Sequence, residues 1–412
     1  MTKPKIRLNG FDGEWVMTPF SKFGELRRGL SYSPSNLRPS GIRVLRSSNI
    51  QDDSFKLSVD DVFVTKDCVS IELVKDGDIL ITAANGSPRL VGKHCLISNP
   101  QNEPMVHGGF MLLAKSNESE FLNSSMSSSW FRDFQRIGVS GGNGAIGNLN
   151  KNELEAFRFF VPVEKKEREF LAEYFKSLES IIQTAKKKID ALKQIKAASL
   201  ITLFPQEGES APRVRFEGFY GDWENKRLSD CLDVSNETNI GNVYGPSDVL
   251  SVSDDWGVMN QIKLLGRSYA GKSVSNYGIL KKGDLVYTKS PLKSKPFGIF
   301  KQNTYQTGIV SALYAIYSAK EGFCPDFIHY YFDPAWRLNA YMRPLVNKGA
   351  KNTMNISNET ALTGKIMIPK DIEEQQLIAA FFCNLDKQIA LQEKILVKIK
   401  HVKSACLDKM FV

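Results

Sequence analysis

The sequence predicts an α+β protein made of two copies of one globular domain, each followed by a long helix, in a pseudo-two-fold tandem repeat. Three observations support this fold class. Blocks of sequence return half a chain later, each half carries short β-type runs between turn residues, and each half ends in a long heptad pattern. A chain of 412 residues is long enough for two such domains with large cores.

The repeated blocks keep the same order and nearly the same spacing in both halves. They are PKIRLNGFDGEW (Pro4–Trp15) with PRVRFEGFYGDW (Pro212–Trp223), KDGDIL (Lys75–Leu80) with KKGDLV (Lys281–Val286), and Asn148 and Pro162 with Asn355 and Pro369. The offsets between their first residues lie between 206 and 208 residues. By contrast, residues 27–70 and 235–275 show little likeness. A duplicated framework with individual interiors suits two readers of different targets.

The globular part of each half is predicted to contain strands and helical insertions. The β-type runs are Ile42–Leu45, Asp78–Thr82, Phe110–Leu113, Phe157–Val161, Asp284–Thr288, Ile309–Ile316 and Lys365–Ile368. Helical insertions are expected at Glu118–Phe134 and Pro325–Met342. Gly77-Asp78 and Gly283-Asp284 are interpreted as turns that precede a strand.

A heptad seam follows each of the two matching prolines. The first seam is Leu171, Phe175, Leu178, Ile182, Ala185, Ile189, Leu192, Lys196, Ser199 and Leu203; the second is Ile378, Phe382, Leu385, Ile389, Gln392, Leu396, Ile399, Lys403, Cys406 and Met410. Each helix of about 40 residues would be roughly 60 Å long and needs a partner. Each could pack on its own domain, but the narrow seam and equal length favour an antiparallel intramolecular coiled coil. The expected limits are 1–161 and 206–368 for the domains, and 162–205 and 369–412 for the helices.

Two equal helices that run antiparallel give the chain a two-fold geometry, which matches the local dyads of duplex DNA. The coil would then act as a ruler between two short half-sites that differ from each other. A net charge of +9 and a pI near 9.0 also favour a polyanionic partner.

The sequence offers little chemistry of its own. Asp333-Pro-Ala-Trp336 lacks the second proline of an amino-methyltransferase turn, and is better explained by Asp333 capping a helix that has Pro334 at its first position. The carboxylates near Lys75 could suggest a nuclease site, but the repeated Gly-Asp turn is the simpler interpretation. The six cysteines and four histidines are scattered, which indicates reduced thiols and no metal site. With no signal peptide and no apolar run of membrane-spanning length, a cytoplasmic location is expected.

This order of globular domain, long helix, globular domain and long helix resembles the specificity subunits of type I restriction-modification systems over essentially the whole chain. Three local motifs carry the resemblance. They are GIRVLRSSNI (Gly41–Ile50), similar to an early strand of the family's target-recognition domain; KDGDIL and KKGDLV, similar to its central turn; and PKDIEEQ (Pro369–Gln375), similar to the entry to its conserved helix. The chain departs from the family at Arg168, where Gln is common, and in the loops before Asn148 and Asn355, where a Gln is often found.

The resemblance implies that each domain reads one half of a bipartite, asymmetric site in double-stranded DNA. It implies two methyltransferase subunits docked largely on the helices, and restriction subunits that complete an ATP-dependent nuclease. S-adenosylmethionine, ATP and Mg²⁺ would be bound by those partners. The chain itself would be a non-catalytic subunit with no catalytic residue, metal or cofactor.

The candidate DNA contacts are polar residues on loops that follow strands, because such side chains can reach base edges and phosphates. They are Arg46, Ser47, Asn49, Ser87, Arg89, Lys93, Asn143 and Asn148 in the first half, and Lys289, Lys293, Lys295, Lys348, Lys351, Asn352 and Asn355 in the second. A solvated turn is the alternative for each residue alone. Lys186, Lys187 and Lys188 could touch spacer phosphates or form a solvated helix face. The alternative for the whole chain is a non-catalytic coiled-coil scaffold whose globular domains bind proteins.

Overall fold

A computed structural model describes residues 3–98, 103–140, 147–271, 273–292, 295–348 and 354–412, with only the backbone described at 138–140, 347–348 and 355. The chain forms two compact units. Unit 1 comprises Met1–Lys187 and Lys394–Val412, and unit 2 comprises Lys188–Glu393. Each long helix therefore contributes one segment to each unit.

Unit 1 contains fifteen described strands and three short helices before the first long helix. The strands are β1 (Trp15–Pro19), β2 (Glu25–Arg28), β3 (Leu37–Arg38), β4 (Ile42–Leu45), β5 (Ile50–Gln51), β6 (Ser54–Phe55), β7 (Val62–Val64), β8 (Ile79–Thr82), β9 (Ala84–Asn85), β10 (His94–Leu96), β11 (Met105–His107), β12 (Met111–Lys115), β13 (Val139–Ser140), β14 (Gly147–Leu149) and β15 (Arg158–Pro162). The helices are α1 (Ser119–Met126), α2 (Ser129–Gly138) and α3 (Lys151–Ala156), followed by the long helix α4 (Lys165–Thr202).

Unit 2 repeats this pattern with fewer described strands. They are β16 (Glu224–Arg227), β17 (Leu232–Val234), β18 (Leu250–Ser253), β19 (Gly257–Asn260), β20 (Gly278–Leu280), β21 (Leu285–Thr288), β22 (Phe300–Gln302), β23 (Gly308–Val310), β24 (Tyr314–Ala319), β25 (Asn347–Lys348), β26 (Met354–Asn355) and β27 (Lys365–Ile368). The helices are α5 (Leu228–Cys231), α6 (Gln261–Leu265), α7 (Pro325–Phe332), α8 (Ala335–Met342) and the long helix α9 (Ile372–Met410).

The two units share one sheet topology. A four-stranded antiparallel sheet has the order β10-β8-β12-β2 in unit 1 and β22-β21-β24-β17 in unit 2. The strand that opens each domain pairs antiparallel with the strand that precedes the long helix, as β1 with β15 and β16 with β27. The duplication seen in the sequence is therefore a duplication of strand order and pairing.

The repeated block near the start of each domain holds the first turn of a long helix. In unit 1 the guanidinium of Arg7 forms two hydrogen bonds of 2.7 and 2.8 Å to the carboxylate of Glu167, and the Trp15 indole donates to the same carboxylate at 3.3 Å. In unit 2, residues Arg215, Trp223 and Glu374 repeat all three contacts, at 2.8, 2.8 and 3.4 Å. The spacing of Arg and Trp recurs in the sequence because both side chains bind one buried glutamate.

An aromatic side chain at the end of a long helix lies at the centre of each core. In unit 1 the Phe411 ring lies 6.3 Å from Trp15, 6.1 Å from Phe121 and 5.6 Å from Phe175. In unit 2 the Phe204 ring has the matching neighbours, which are Trp223 at 6.2 Å, Phe327 at 5.3 Å and Phe382 at 5.9 Å. The helices and the sheet of each unit thus share one hydrophobic core.

The segments of the two long helices pack antiparallel within each unit. In unit 1, Tyr174 contacts Cys406, and Glu179, farther along α4, contacts Lys403, which lies earlier in α9. In unit 2, Lys193 pairs with Glu393 and Lys196 pairs with Asp386, again in opposite order. Most apolar seam positions are buried. The predicted fold class, with α+β tandem domains and an antiparallel coiled coil, is confirmed. The domain limits drawn from the sequence remain a prediction.

Helices are present at both predicted helical insertions, and each insertion is a pair of helices because the chain breaks at Ser127-Ser128 and at Asp333-Pro334. Two other local expectations were wrong. The run Ile309–Ile316 is two strands, since the Tyr314 amide donates to the Ser311 carbonyl and closes a turn.

The predicted cap at the start of α8 was also wrong, because Pro334, not Asp333, is the N-cap residue of this helix. The Asp333 carboxylate instead lies 3.0 Å from the Lys301 ammonium and 3.1 Å from the Lys196 ammonium. These two ammonium groups outweigh the effect of burial and hold the pKa of Asp333 well below its usual range. No helix in the described part of the chain is both long and apolar enough to cross a membrane.

Candidate nucleic-acid interface

The repeated Gly-Asp turns have a structural role. The Asp78 carboxylate accepts a hydrogen bond of 2.8 Å from the Lys75 amide, and the Asp284 carboxylate accepts one of 2.9 Å from the Lys281 amide. Burial raises the pKa of both carboxyls. The interpretation of these segments as turns is confirmed. Among the described residues no group of three or more His, Cys, Asp or Glu is placed to hold a metal ion.

One cleft in unit 1 is lined by residues from several segments of the domain. It has a volume of about 560 Å³. Its lining residues are Leu30, Ser31, Tyr32, Arg46, Ser47, Ala84, Asn85, Gly86, Gly108, Gly109, Phe110 and Met111. Two of the sequence candidates, Arg46 and Ser47, are among them. Three of the lining residues are glycines, so a ligand in the cleft could approach the backbone closely.

A buried asparagine shapes the loop that carries Arg46. The Asn49 side chain is fully buried; its oxygen accepts from the Arg46 amide at 2.8 Å, and its nitrogen donates to Asp61 at 2.8 Å and to the Lys56 carbonyl at 3.0 Å. These contacts use the amide group inside the protein. Asn49 therefore positions Arg46 and does not itself face the cleft.

The cleft side chains are held by a short chain of hydrogen bonds. The Asn85 amide nitrogen donates to the Ser47 hydroxyl at 3.1 Å, and the Asn85 oxygen accepts from the Ser87 amide at 2.9 Å. The Arg46 guanidinium donates to the Asp60 carbonyl at 3.0 Å, while its buried Nε atom has no hydrogen-bond partner among the described residues. Asn85 thus joins the loop of Ser47 to the loop of Ser87 at one edge of the cleft.

Arg89 and Lys93 lie on a second, basic groove of unit 1, with a volume of about 400 Å³. Arg89 is exposed, and the Lys93 ammonium donates to the Ile50 carbonyl at 3.3 Å. The groove also contains Lys186, which pairs with Asp52 at 3.1 Å, and Lys400. Its cations exceed its carboxylates, so the groove suits a phosphate backbone.

Of the remaining candidates of unit 1, the structure describes Asn148, which lies on β14. Asn148 is exposed on β14 and pairs through its backbone with Ser140 and Ala84. It lines a small cavity of about 330 Å³ together with Arg28 and Lys151. Asn143 lies outside the described residues.

In unit 2 the structure describes the side chains of fewer candidate residues. Lys289 is half-buried, and burial lowers its pKa. The Lys295 ammonium is engaged internally, 2.6 Å from Asp254 and 3.2 Å from the Asp333 carbonyl. Backbone alone is described for Lys348 on β25 and Asn355 on β26. The other three candidates, Lys293, Lys351 and Asn352, lie outside the described residues.

Sequence reasoning missed the aromatic side chains of the cleft, Tyr32 and Phe110. The pair Gly108-Gly109 before Phe110 was the available signal, because two glycines at a strand boundary favour a tight turn. It also left open what Arg168 does in place of the family's Gln. The Arg168 guanidinium donates to the Pro162 carbonyl at 2.7 Å, and Gln375, its counterpart, donates to the Pro369 carbonyl at 3.1 Å. The substitution preserves the contact that holds the entry to the long helix.

Comparison with known proteins agrees with this architecture. The type I restriction modification DNA specificity domain family matches residues 270–401. The chain is 22% identical to the type I restriction enzyme EcoKI specificity subunit of Escherichia coli K12 over 96% of its own length and 88% of that protein. The crystal structure of a type I restriction-modification S subunit from M. genitalium superposes with a TM-score of 0.62 at 11% identity, over 100% of this chain and 99% of that one. An HsdS subunit from Thermoanaerobacter tengcongensis gives a TM-score of 0.41 at 16% identity over 100% and 99%.

The matched domain, the full-length relative and the shared fold agree with the resemblance carried by the Gly41–Ile50, Gly-Asp and Pro369–Gln375 motifs. The chain is similar to type I restriction-modification specificity subunits over nearly its whole length, and its residues 270–401 match the type I restriction modification DNA specificity domain.

Proposed function

We propose that each globular domain reads one half of a bipartite, asymmetric site in double-stranded DNA, and that the coiled coil sets the unread spacer and docks two methyltransferase subunits. The proposal rests on one observation, which is that the two units share one framework but carry different surfaces. The strand order of the four-stranded sheet, the Arg–Glu–Trp contacts and the ring contacts of Phe411 and Phe204 are duplicated. Between these repeated elements, residues 27–70 and 235–275 show little likeness, as two different half-sites require.

The chemistry of the unit 1 cleft supports a nucleic-acid ligand. Arginine, asparagine and serine side chains can donate to or accept from base edges in the major groove. Arg46, Ser47 and Asn85 line one cleft, and Asn49 holds the loop that carries Arg46. The neighbouring groove with Arg89 and Lys400 offers cations for phosphates, which position a protein on DNA without specifying sequence.

Two equivalent docking sites for methyltransferase subunits are supported by exposed apolar residues on the long helices. Unit 1 exposes Phe170 on α4 and Val402 on α9, and unit 2 exposes their counterparts Leu377 on α9 and Ile195 on α4. Because each unit carries the same exposed pair, two copies of one partner could bind in the same way. S-adenosylmethionine, ATP and Mg²⁺ would then belong to the methyltransferase and restriction subunits.

The test is DNA binding by the full chain, alone and with its methyltransferase subunits, at several salt concentrations. We expect affinity that falls linearly on a log–log plot against salt, and sequence preference that sharpens when methyltransferase is added. The target itself would be found by sequencing methylated adenines in cellular DNA. Binding that is insensitive to DNA sequence and salt under all conditions would favour the alternative of a protein-binding scaffold.

A further inference from the structure

The two units each present one large apolar side chain at the tip of an equivalent turn. In unit 1 the turn Gly108–Met111 joins β11 to β12 and is closed by the Met111 amide donating to the Gly108 carbonyl at 2.8 Å. In unit 2 the turn Ser311–Tyr314 joins β23 to β24 and is closed by the Tyr314 amide donating to the Ser311 carbonyl at 3.0 Å. The third turn residue is Phe110 in one and Leu313 in the other, and these side chains are 67% and 66% exposed.

The unit 1 tip is held rigidly. The Phe110 carbonyl accepts hydrogen bonds from the amides of both Ala83 and Ala84, at 2.9 and 3.0 Å. A Cβ atom at Gly29 would lie only 1.9 Å from the Gly108 carbonyl oxygen, so the strands beneath the turn pack as closely as glycine allows. Phe110 is thus exposed on a fixed backbone and not on a flexible loop.

The exposed side chains of Phe110 and Leu313 both lie near residues that could contact DNA. Phe110 lines the cleft that contains Arg46, Ser47 and Asn85. In unit 2 the antiparallel register of β21 and β24 pairs Thr288 with Tyr314, so Lys289 follows the end of β21 at which Leu313 precedes β24. Single exposed apolar residues are common on protein surfaces. Here the same turn position carries one in both copies, although the surrounding sequence differs.

The edges of base pairs in the major groove offer one apolar group, the 5-methyl group of thymine, and phenyl and aliphatic side chains contact it. We propose that Phe110 and Leu313 each pack against a thymine methyl group in the half-site read by their unit. This assignment rests on the proposed function and adds a specific chemical contact to it. The neighbouring polar side chains would then form hydrogen bonds with base edges, while the apolar side chain at the tip of the turn contacts the methyl group.

The experiment uses the full chain with its methyltransferase subunits and the target duplex identified from methylated adenines. Each thymidine of the site is replaced in turn by deoxyuridine, which removes only the methyl group. We expect one replacement in the unit 1 half-site to weaken wild-type binding about three- to fivefold, the ratio expected for burial of one methyl group. Phe110→Ala should bind the thymidine duplex more weakly and show no further loss with deoxyuridine at that position.

Leu313→Ala is the matched control, because it should lose sensitivity to deoxyuridine only in the other half-site. Phe110→Leu should retain the sensitivity, since leucine serves in unit 2. Thermal unfolding of all three variants should match wild type because the side chains are largely exposed.

Three outcomes would overturn the assignment. They are a unit 1 half-site without thymine, a wild-type complex that tolerates every deoxyuridine replacement, and a Phe110→Ala complex that keeps the wild-type sensitivity. In each of these cases sequence-specific binding by wild type would persist, and the proposed function would stand. A wild-type complex without any sequence preference would instead overturn the proposed function together with this contact.

Discussion

The ammonium group of Lys403 lies 2.7 Å from the Glu179 carboxylate, and this ion pair has a counterpart 207 residues away in Lys196 and Asp386, at 2.8 Å. Each pair joins the late part of one long helix to the early part of the other within a unit. Burial raises the pKa of Glu179, but the Lys403 ammonium outweighs it, so the net pKa lies below its usual range. The two pairs fix the same antiparallel register in each unit.

Lys196→Met should destabilise the protein more than Lys403→Met. Lys196 contacts two carboxylates, those of Asp333 and Asp386, whereas Lys403 contacts one. Removing Lys196, a largely buried cation, takes the ion pair from Asp386 and leaves Asp333 paired with Lys301, so we expect a loss of about 2–3 kcal/mol for Lys196→Met and about 1 kcal/mol for Lys403→Met. Urea unfolding would measure both. Lys193→Met, which removes an exposed pair with Glu393, is the control and should cost under about 0.5 kcal/mol.

Glu167→Gln and Glu374→Gln should each loosen the start of a long helix. These carboxylates are almost fully buried and each accepts a bidentate arginine and a tryptophan. Neutralising one leaves a partly buried guanidinium without its charged partner, which we expect to cost about 1–3 kcal/mol. Calorimetry would detect the change as a lower transition temperature. Glu169→Gln, at an exposed pair with Lys165, should leave the transition nearly unchanged, and an equal loss in that control would contradict the explanation.

Val402→Asp and Ile195→Asp should each remove one methyltransferase subunit from the complex. The two residues occupy equivalent positions in units 1 and 2 and are 50% and 49% exposed. A charge placed in an apolar interface opposes docking there and leaves the other site intact. Native mass spectrometry should show one bound subunit for each single variant and none for the double variant. Val59→Asp, at an exposed site away from the helices, should retain two; loss of both subunits in a single variant would mean that the sites are not independent.

The framework was predictable because it follows from local and repeated patterns. The seam of Leu171 and Phe175, the terminal strand Lys365–Ile368 and the Gly-Asp turns all depend on residue spacing that tertiary packing only reinforces. The interior of the domain was less predictable. Asn49 looked like a loop residue available to DNA. Its side-chain amide instead forms hydrogen bonds to Asp61 and to two backbone groups, and no sequence spacing reveals these contacts.

The error at the start of α8 has a related cause. Asp333-Pro334 has the composition of a helix start, yet Lys196 and Lys301 approach from distant parts of the chain and bind the carboxylate. Long-range charge pairing therefore overrode the local preference for capping. The same limit applies to Phe110, whose exposure depends on strands that meet only in the folded domain.

The buried histidine near that charge cluster should make unit 2 sensitive to acid. His329 is adjacent to Tyr330 on α7, and burial, aided by the Lys301 charge, lowers its pKa from 6.5 to about 4. At neutral pH the imidazole is neutral in both folded and unfolded chains. As the pH falls below 6.5, the unfolded chain binds a proton that the folded chain does not bind until about pH 4, so folding stability is lost over this window. The loss should reach about 2 kcal/mol at pH 5.

Urea unfolding of wild type and His329→Gln at pH 7.5 and pH 5 would measure this loss of folding stability. The variant cannot gain this proton, so its stability should fall by about 2 kcal/mol less than that of wild type between the two pH values. Equal pH dependence in both proteins would show that folded and unfolded chains take up this proton over the same pH range, which would contradict the lowered pKa.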